Sequence, residues 1–159
     1  MIFLTVGTHE PFDRLVRAVD EWCAARGASD EVFGQITSRG AYRPRNFEWT
    51  ETLAPTRFEQ CFARAQLIVA HAGMGTILTA LSRGTPIIVL PRRGHLGETR
   101  NDHQFATAQH LRGRPGLSVA LSEDDLGAQL DTRSASAADP ISPFAEDALI
   151  TTLRDFIHE

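Results

Sequence analysis

Two apolar runs, joined by a glycine-containing turn and a short amphipathic segment, constrain the fold of this chain more than any other feature. The first run covers residues 67–70 and continues into His71-Ala72-Gly73-Met74-Gly75-Thr76. The second covers residues 86–90 and follows Gly84-Thr85. Apolar runs without alternation are typical of strands buried on both faces, and the segment between them has helical spacing. The sequence therefore predicts a strand–helix–strand unit of a parallel sheet.

The two glycines of this unit lie where the first strand meets the helix. Residues without a side chain let the backbone approach a ligand closely, and the free N–H groups at a helix N-terminus favour an anion. We expect Gly73 and Gly75 to form a phosphate-binding corner. A tight turn without a ligand remains the alternative.

Several common phosphate and cofactor sites are excluded by what the corner lacks. A dinucleotide-binding fingerprint needs a third glycine and an acidic residue after the second strand. Both are missing here, so NAD is not expected. All 16 basic residues other than histidine are arginines. Without lysine there is neither a Walker-type loop nor a pyridoxal Schiff base. Arg92, Arg93 and Arg100 follow the second strand and are candidates to clamp a diphosphate, although Arg92 and Arg93 also fit a solvated surface pair.

Length and charge narrow the class of protein further. At 159 residues the chain is expected to form a single domain, since domains average roughly 150 residues. The formal charge of −4 gives no electrostatic footprint for nucleic acid. No apolar run approaches the ~20 residues of a membrane span, and the N-terminus lacks a signal-peptide pattern, so we expect a cytoplasmic protein. Cys23 and Cys61 are expected to be buried thiols.

The remaining pattern predicts an α/β fold, a single Rossmann-like domain with a doubly wound, mostly parallel sheet. Residues 131–143 are expected to be a mobile linker before a C-terminal helix over residues 144–157. Four groups of polar or glycine residues follow predicted strands and should therefore gather at one edge of the sheet. These groups are residues 7–9, 50–51, 71–76 and 92–104.

Three motifs resemble the C-terminal, sugar-nucleotide-binding domain of family 28 glycosyltransferases. They are residues 71–76, residues 84–92 and Asn101-Asp102-His103-Gln104. The opening residues 3–8 and Phe12-Asp13-Arg14-Leu15 are similar to one branch of that family, in which the domain is a separate small protein. That branch comprises the soluble subunit of the two-component N-acetylglucosaminyltransferase of dolichol-linked glycan synthesis and its bacterial exopolysaccharide counterparts. The resemblance covers residues 1–112 and implies the C-terminal half of a GT-B transferase.

The resemblance also assigns site residues. It places a UDP diphosphate at residues 73–76, the uracil at the backbone near Thr50, and the sugar hydroxyls at His103 and Gln104, with Gly7 and Thr8 beside the reaction centre. The full donor-binding set that it implies is Gly7, Thr8, Thr50, His71, Gly73, Met74, Gly75, Thr76, Thr79, Arg92, Asn101, His103 and Gln104.

One position departs from the family pattern. Thr79 stands where many members carry a glutamate for the ribose hydroxyls, and Glu98 or Glu51 is a candidate substitute. For the catalytic base the sequence offers His9, with Glu10 beside it, or a residue of a partner subunit. No metal and no cofactor are expected, because UDP-sugar is the substrate.

The expected function is a hexosyltransferase that uses a UDP-sugar, with inversion, and a lipid-linked glycan acceptor in exopolysaccharide or cell-surface glycan synthesis. A membrane-anchored, acceptor-binding subunit is the expected partner and would hold the chain at the inner membrane face. Two rivals are a nucleotide-sugar epimerase, which needs a second half-domain, and a non-catalytic nucleotide-sugar-binding or regulatory subunit. The second rival stays open at this stage.

Overall fold

Six short segments of the chain form one sheet. The computed structural model describes residues 1–133 and Pro140. Its strands are β1 (Ile2–Thr5), β2 (Val32–Gln35), β3 (Glu48–Thr50), β4 (Leu67–His71), β5 (Ile87–Leu90) and β6 (Leu117–Val119). The strand order is β3-β2-β1-β4-β5-β6, and every neighbouring pair is parallel. The predicted α/β fold is therefore confirmed, with a wholly parallel sheet in the described part of the chain.

Five helices connect these strands and cover both faces of the sheet. They are α1 (Asp13–Arg26), α2 (Pro55–Arg64), α3 (Met74–Ser82), α4 (His103–Leu111) and α5 (Glu123–Thr132). Side chains of α1 and α5 belong to one buried apolar cluster. Side chains of α2, α3 and α4 belong to a second cluster, on the opposite face. This two-sided packing is the doubly wound arrangement that the sequence predicts.

The central strands β1, β4 and β5 are largely apolar because successive side chains enter different clusters. Ile2 and Leu4 of β1 pack in the first cluster, whereas Phe3 between them packs in the second. All three are almost completely inaccessible to solvent. Burial on both faces removes the alternation that marks a half-exposed strand.

Local signals in the sequence fix three of the helix ends. Gly27 ends α1 in the left-handed conformation, with φ of 63°. Pro55 is the first residue of α2. Ser122 caps α5 by accepting a hydrogen bond from the Asp125 N–H.

The C-terminal part of the chain was predicted as a linker and a helix. Helix α5 extends to Thr132 and so includes the first two residues of the expected linker. The rest of the linker, apart from Pro140, and the helix expected over residues 144–157 lie outside the described residues. Cys23 and Cys61 are buried free thiols, as expected. None of the helices in the described ranges is long and apolar enough to cross a membrane.

Candidate functional site

The strand order determines where a ligand crevice forms. The chain proceeds from β1 to β2 and β3 on one side, and β4 to β6 lie on the other side. Loops on the two sides of such a reversal diverge, and ligands bind in the crevice beyond the carboxyl ends of the two central strands. Here these strands are β1 and β4. Because all strands are parallel, the four loop groups singled out in the sequence leave the same edge.

A cavity of about 320 Å³ occupies this crevice. Nine of the predicted site residues line it, namely Gly7, Thr8, His9, Glu10, His71, Gly73, Gly75, Thr76 and Arg92. A neighbouring cavity of about 550 Å³ is lined by Glu10, residues 97–101 and His103. Glu10 borders both cavities, so they adjoin at this residue. A further cavity of about 320 Å³ lies among the amino ends of β2 and β3 and contains none of the predicted site residues.

The imidazole of His71 fills the space between the glycines at the ends of β1 and β4. A Cβ at Gly73 would lie 2.2 Å from His71 Nε2, and a Cβ at Gly7 would lie 3.0 Å from His71 Cε1. Gly7 also has φ of +87°, which L side chains rarely adopt. Both positions therefore need glycine because a histidine ring packs there. This is a different reason from the ligand approach expected at Gly73.

His71 is held in its neutral form. Burial of the ring, together with the positive charge of Arg92, lowers the pKa of His71 from 6.5 to about 4. The backbone of Thr5 opposes this shift in part. Nδ1 is buried and lies outside hydrogen-bonding geometry with any partner in the described residues. A neutral imidazole has one donor and one acceptor nitrogen.

Helix α3 begins at Met74, so residues 74–76 form its first turn rather than part of the glycine-containing turn between strand and helix. Gly73 is the N-cap residue, and its N–H donates to the carbonyl of His71 at 2.9 Å. The first-turn amides of a helix have no partner within the helix. A Cβ at Gly75 would meet nothing within 4 Å. The corner predicted for a phosphate is thus an open helix N-terminus.

Thr79, at the position expected to bind the ribose, and its two candidate substitutes, Glu98 and Glu51, differ in whether their side chains are already bonded within the protein. The Thr79 hydroxyl donates to the carbonyl of Gly75 at 2.8 Å, so its proton is used within the helix. The carboxylate of Glu98 pairs with Arg14, with Nε to Oε1 at 2.7 Å. Glu51 is exposed, with Arg43 at 3.9 Å. Of the two substitutes, Glu51 is therefore the carboxylate open to solvent.

Arg92 is buried, with 5% of its surface exposed. Its Nη2 donates to the carbonyl of Val6 at 2.8 Å and to that of Glu10 at 2.6 Å. Its backbone N–H donates to Gln104 Oε1 at 3.3 Å. The interpretation of Arg92 as half of a solvated pair is therefore wrong, because the guanidinium is directed at backbone carbonyls of the loop after β1.

The polar residues at the start of α4 form hydrogen bonds with one another and with nearby backbone. Asn101 Oδ1 accepts a hydrogen bond from the His103 N–H at 3.2 Å and also contacts the His103 ring. Asp102 holds the N-cap position of α4, but its side chain accepts from the Gly94 N–H at 2.8 Å instead of capping the helix. His103 is exposed at the second cavity, whereas Gln104 is buried.

The candidate bases lie at the rim of the crevice. His9 and Glu10 are both exposed, and His9 Nδ1 lies 2.8 Å from the Thr8 hydroxyl. Thr50 is farther away, at the end of the edge strand β3, and lines neither cavity. Its neighbour Trp49 packs against the first apolar cluster and donates from Nε1 to the carbonyl of Pro44 at 3.2 Å.

Five residues at this edge were missed by sequence reasoning. Thr5, Val6, Gln35 and Phe58 line the crevice, and Thr37 has φ of 62°, which is strained for a β-branched residue. The signal for Thr5 and Gln35 was a polar residue at the end of an apolar strand. Among the described residues, no group of three or more His, Cys, Asp or Glu side chains is placed to hold a metal ion.

Comparisons with known proteins point to one family of transferases. The sequence model of one protein family, the glycosyltransferase family 28 C-terminal domain, matches residues 1–151 of this chain. UDP-N-acetylglucosamine transferase subunit ALG13 of Mus musculus is 32% identical over 118 residues, 69% of this chain but 10% of that protein. The subunit of the same name from Yarrowia lipolytica is 29% identical over 97 residues, 60% of this chain and 44% of that protein. The chain thus spans less than half the length of either relative.

Solved structures share the fold. The NMR structure of ALG13 has a TM-score of 0.61 at 18% identity, covering 96% of this chain and 93% of that one. The crystal structure of the glycotransferase of kitacinnamycin has a TM-score of 0.61 at 21% identity, covering 85% of this chain and 35% of that one. The domain therefore has the architecture of one half of a GT-B transferase.

Proposed function

Because the chain belongs to glycosyltransferase family 28, matching its C-terminal domain, we propose that it is the donor-binding subunit of a UDP-sugar-dependent glycosyltransferase. The observation that carries this proposal is the crevice between β1 and β4, where an open helix N-terminus, Gly75 and the neutral His71 face the loop of His9 and Glu10. The transferase-subunit names of the relatives support it.

In this proposal the donor lies along the carboxyl edge of the sheet. The diphosphate takes the amides of the first turn of α3, where the helix dipole favours negative charge and Gly75 leaves room. Asn101 and His103 of the adjoining cavity contact sugar hydroxyls. The uracil lies toward the backbone of Thr50, which is two strands from β1 and so roughly 10 Å away. No metal is needed, because the helix N-terminus and arginine supply the positive field.

The reaction is an in-line displacement with inversion. An acceptor oxygen attacks the anomeric carbon from the face opposite UDP, and the bond from that carbon to the diphosphate oxygen breaks, its electrons leaving with UDP. Preorganised amides at the helix N-terminus stabilise the charge that develops on the leaving group. The acceptor proton passes to a base, for which His9 and Glu10 at the rim are the candidates within this chain.

The acceptor side of the cleft is assigned to a partner. The large apolar side chains that are exposed among the described residues are Met74, Leu78 and Leu96, and all three follow carboxyl ends of strands. We assign this apolar rim to contact with a membrane-anchored, acceptor-binding subunit. The proposed product is a hexosyl unit transferred to a lipid-linked glycan in exopolysaccharide or cell-surface glycan synthesis, with the chain cytoplasmic and peripheral at the inner membrane face.

Ligand-induced stabilisation of the purified chain tests the donor assignment. UDP and one of UDP-glucose, UDP-glucuronate or UDP-N-acetylglucosamine should raise the Tm in the presence of EDTA. A ligand at 100 times its Kd should add about 2.7 kcal/mol to the free energy of unfolding. Stabilisation by NAD, ATP or a GDP-sugar without any by UDP would refute the donor assignment. Binding of a UDP-sugar without transfer, even with the partner present, would instead favour a non-catalytic binding subunit.

A further inference from the structure

Two arginines and one aromatic ring connect the loops on either side of the crevice. Phe12, which directly precedes α1, is 1% exposed. The guanidinium carbon of Arg14 lies 5.2 Å from the centroid of this ring, and that of Arg92 lies 5.1 Å from it. Contacts at this distance are favourable, because the face of the ring is electronegative. Residues of α1 and of the segment after β5 therefore meet at one buried side chain.

Arg14 fixes the segment that follows β5. Its Nε and Nη2 bind the two carboxylate oxygens of Glu98 at 2.7 and 2.9 Å, and Nη2 also donates to the carbonyl of Pro91 at 2.9 Å. Glu98 Oε2 in turn accepts from the Arg93 N–H at 2.9 Å. This two-pronged geometry between arginine and carboxylate is the strongest kind of side-chain ion pair. It ties residues 91–98 to α1.

Arg92 fixes the segment that follows β1. A single nitrogen, Nη2, bridges the carbonyls of Val6 and Glu10, so the two ends of residues 6–10 are held at one point. The Arg92 backbone is held from the other side by Gln104. The bridged segment contains His9, and its last residue, Glu10, borders both cavities.

We propose that Arg92 is a positioning residue that fixes residues 6–10, and with them His9 and Glu10, rather than a ligand of the donor diphosphate. The inference rests on the proposed transferase function. The inference is based on geometry. The Arg92 side chain is nearly inaccessible to solvent, and its Nη2 donates to two backbone carbonyls of the protein instead of pointing to solvent. Through its hydrogen bond to Gln104, Arg92 also connects the start of α4 to residues 6–10, which contain the candidate bases for the acceptor proton.

The substitution Arg92→Lys separates the two roles. Lysine keeps the positive charge that a diphosphate needs, but its Nζ is one bond closer to the backbone than Nη2 of arginine and so does not reach the carbonyls of Val6 and Glu10 in the same way. We expect the Kd for UDP to change by less than about threefold. The kcat for transfer, measured with the partner subunit, should fall at least about tenfold with little change in KM, because positioning acts on the chemical step. Amide hydrogen exchange in residues 6–10 should accelerate at least about tenfold.

Arg93→Lys is the matched control. The Arg93 guanidinium donates to the Leu121 carbonyl and lies 4.1 Å from the Phe105 ring, so it has no hydrogen bond to residues 6–10. This variant should leave exchange in residues 6–10 unchanged, and it serves as a control for that segment alone because Arg93 is itself a candidate for the diphosphate. Weakened UDP binding in Arg92→Lys, with unchanged exchange in residues 6–10, would show that Arg92 is a donor ligand and overturn the inference.

A measurement on the unsubstituted protein covers the case in which Arg92→Lys does not fold. With ¹⁵N-labelled arginine, the Arg92 guanidinium resonances should be slow to exchange with water before UDP is added and nearly unchanged afterwards. Large shifts of these resonances on binding would contradict a positioning role. If the unsubstituted chain does not bind UDP at all, the proposed function fails. The exchange comparison of Arg92→Lys and the slow exchange of the guanidinium still decide whether Arg92 holds residues 6–10.

Discussion

At the scale of single residues, the glycines of the crevice have two different roles. Gly7 and Gly73 leave space for the ring of His71, whereas Gly75 faces open space at the helix N-terminus. The sequence predicts a close approach of backbone to ligand at both Gly73 and Gly75, because a glycine pair before a helix has the same pattern in either case. Only the position of the histidine ring distinguishes them.

Substitutions at the two glycines should therefore have opposite effects on stability. Gly75→Ala should raise the free energy of unfolding by about 0.5–1 kcal/mol, since alanine is the better helix former and its Cβ meets nothing. Gly73→Ala should lower the Tm, because its Cβ would lie 2.2 Å from His71 Nε2.

Gly75→Val should keep the Tm and weaken UDP binding in calorimetry. Normal UDP affinity in Gly75→Val would mean that the corner is only a turn.

His71 should make stability depend on pH. Its pKa is about 4 in the folded chain against 6.5 for an ordinary histidine, so the unfolded chain binds the proton more readily. The stabilisation is complete above pH 6.5 and is lost as the pH falls toward 4. Between pH 7 and pH 4.5 the loss should be about 2–3 kcal/mol. Urea unfolding of the wild type and of His71→Gln at both values measures it, and equal losses in the two proteins would exclude His71 as the source.

Arg92, Gln104 and Glu98 show which site features the sequence does not reveal. All three occur in a polar segment, and polar segments of this kind usually face solvent. In the structure Arg92 and Gln104 are buried and Glu98 pairs with Arg14, 84 residues away in the chain. Hydrogen bonds between residues so distant in sequence depend on the packed tertiary structure. The residue types were predicted for the site, but their partners were not.

At the scale of elements, the pattern of apolar runs predicts the strands well because they are buried on both faces. The errors lie where tertiary contacts override a local signal. Helix α3 includes Gly75 in its first turn because Ile77 and Leu81 anchor it in the second cluster. Strand β2 ends at Gln35, two residues before Thr37, whose φ of 62° leaves the extended region.

The pair of Arg14 and Glu98 connects α1 to the segment after β5, and a double-mutant cycle should measure this connection. The two side chains are 15% and 13% exposed, so either one left alone would be a largely desolvated charge. Arg14→Met and Glu98→Met should each lower the free energy of unfolding by about 1–3 kcal/mol. The double variant should lose less than the sum, with a coupling of about 1 kcal/mol or more in urea denaturation. Additive losses would show that the pair contributes nothing beyond packing.

At the scale of the whole molecule, the fold was predictable because strands and helices alternate along the chain, except between β2 and β3. A right-handed crossover between parallel strands is almost obligatory, and this limits the arrangements that such a chain can take. The order β3-β2-β1-β4-β5-β6 itself depends on which strands pair, and pairing leaves no local trace in the sequence. That order places the crevice between β1 and β4, and among the described residues it is open to solvent at the exposed Thr8, His9 and Glu10.

An open crevice predicts that transfer depends on a partner. In-line displacement needs the donor carbon and the acceptor oxygen about 3–3.5 Å apart, and a single α/β domain supplies one wall of the required cleft. We therefore expect the purified chain to bind UDP-sugar yet transfer sugar at least about 100-fold more slowly than the complex with its acceptor-binding subunit. Radiolabelled sugar incorporated into extracted lipid-linked acceptor measures the rate for the chain alone and after co-expression.

Expression with and without the partner also tests whether the chain associates with membranes, and a His9 variant tests whether the catalytic base lies in this chain. With its formal charge of −4, the chain should remain in the supernatant when expressed alone and sediment with membranes when the partner is present. Should the isolated chain transfer sugar rapidly to a lipid-linked or soluble acceptor, the half-enzyme proposal fails. If in addition His9→Ala abolishes that transfer while UDP affinity persists, the base lies in this chain, on the segment that Arg92 holds.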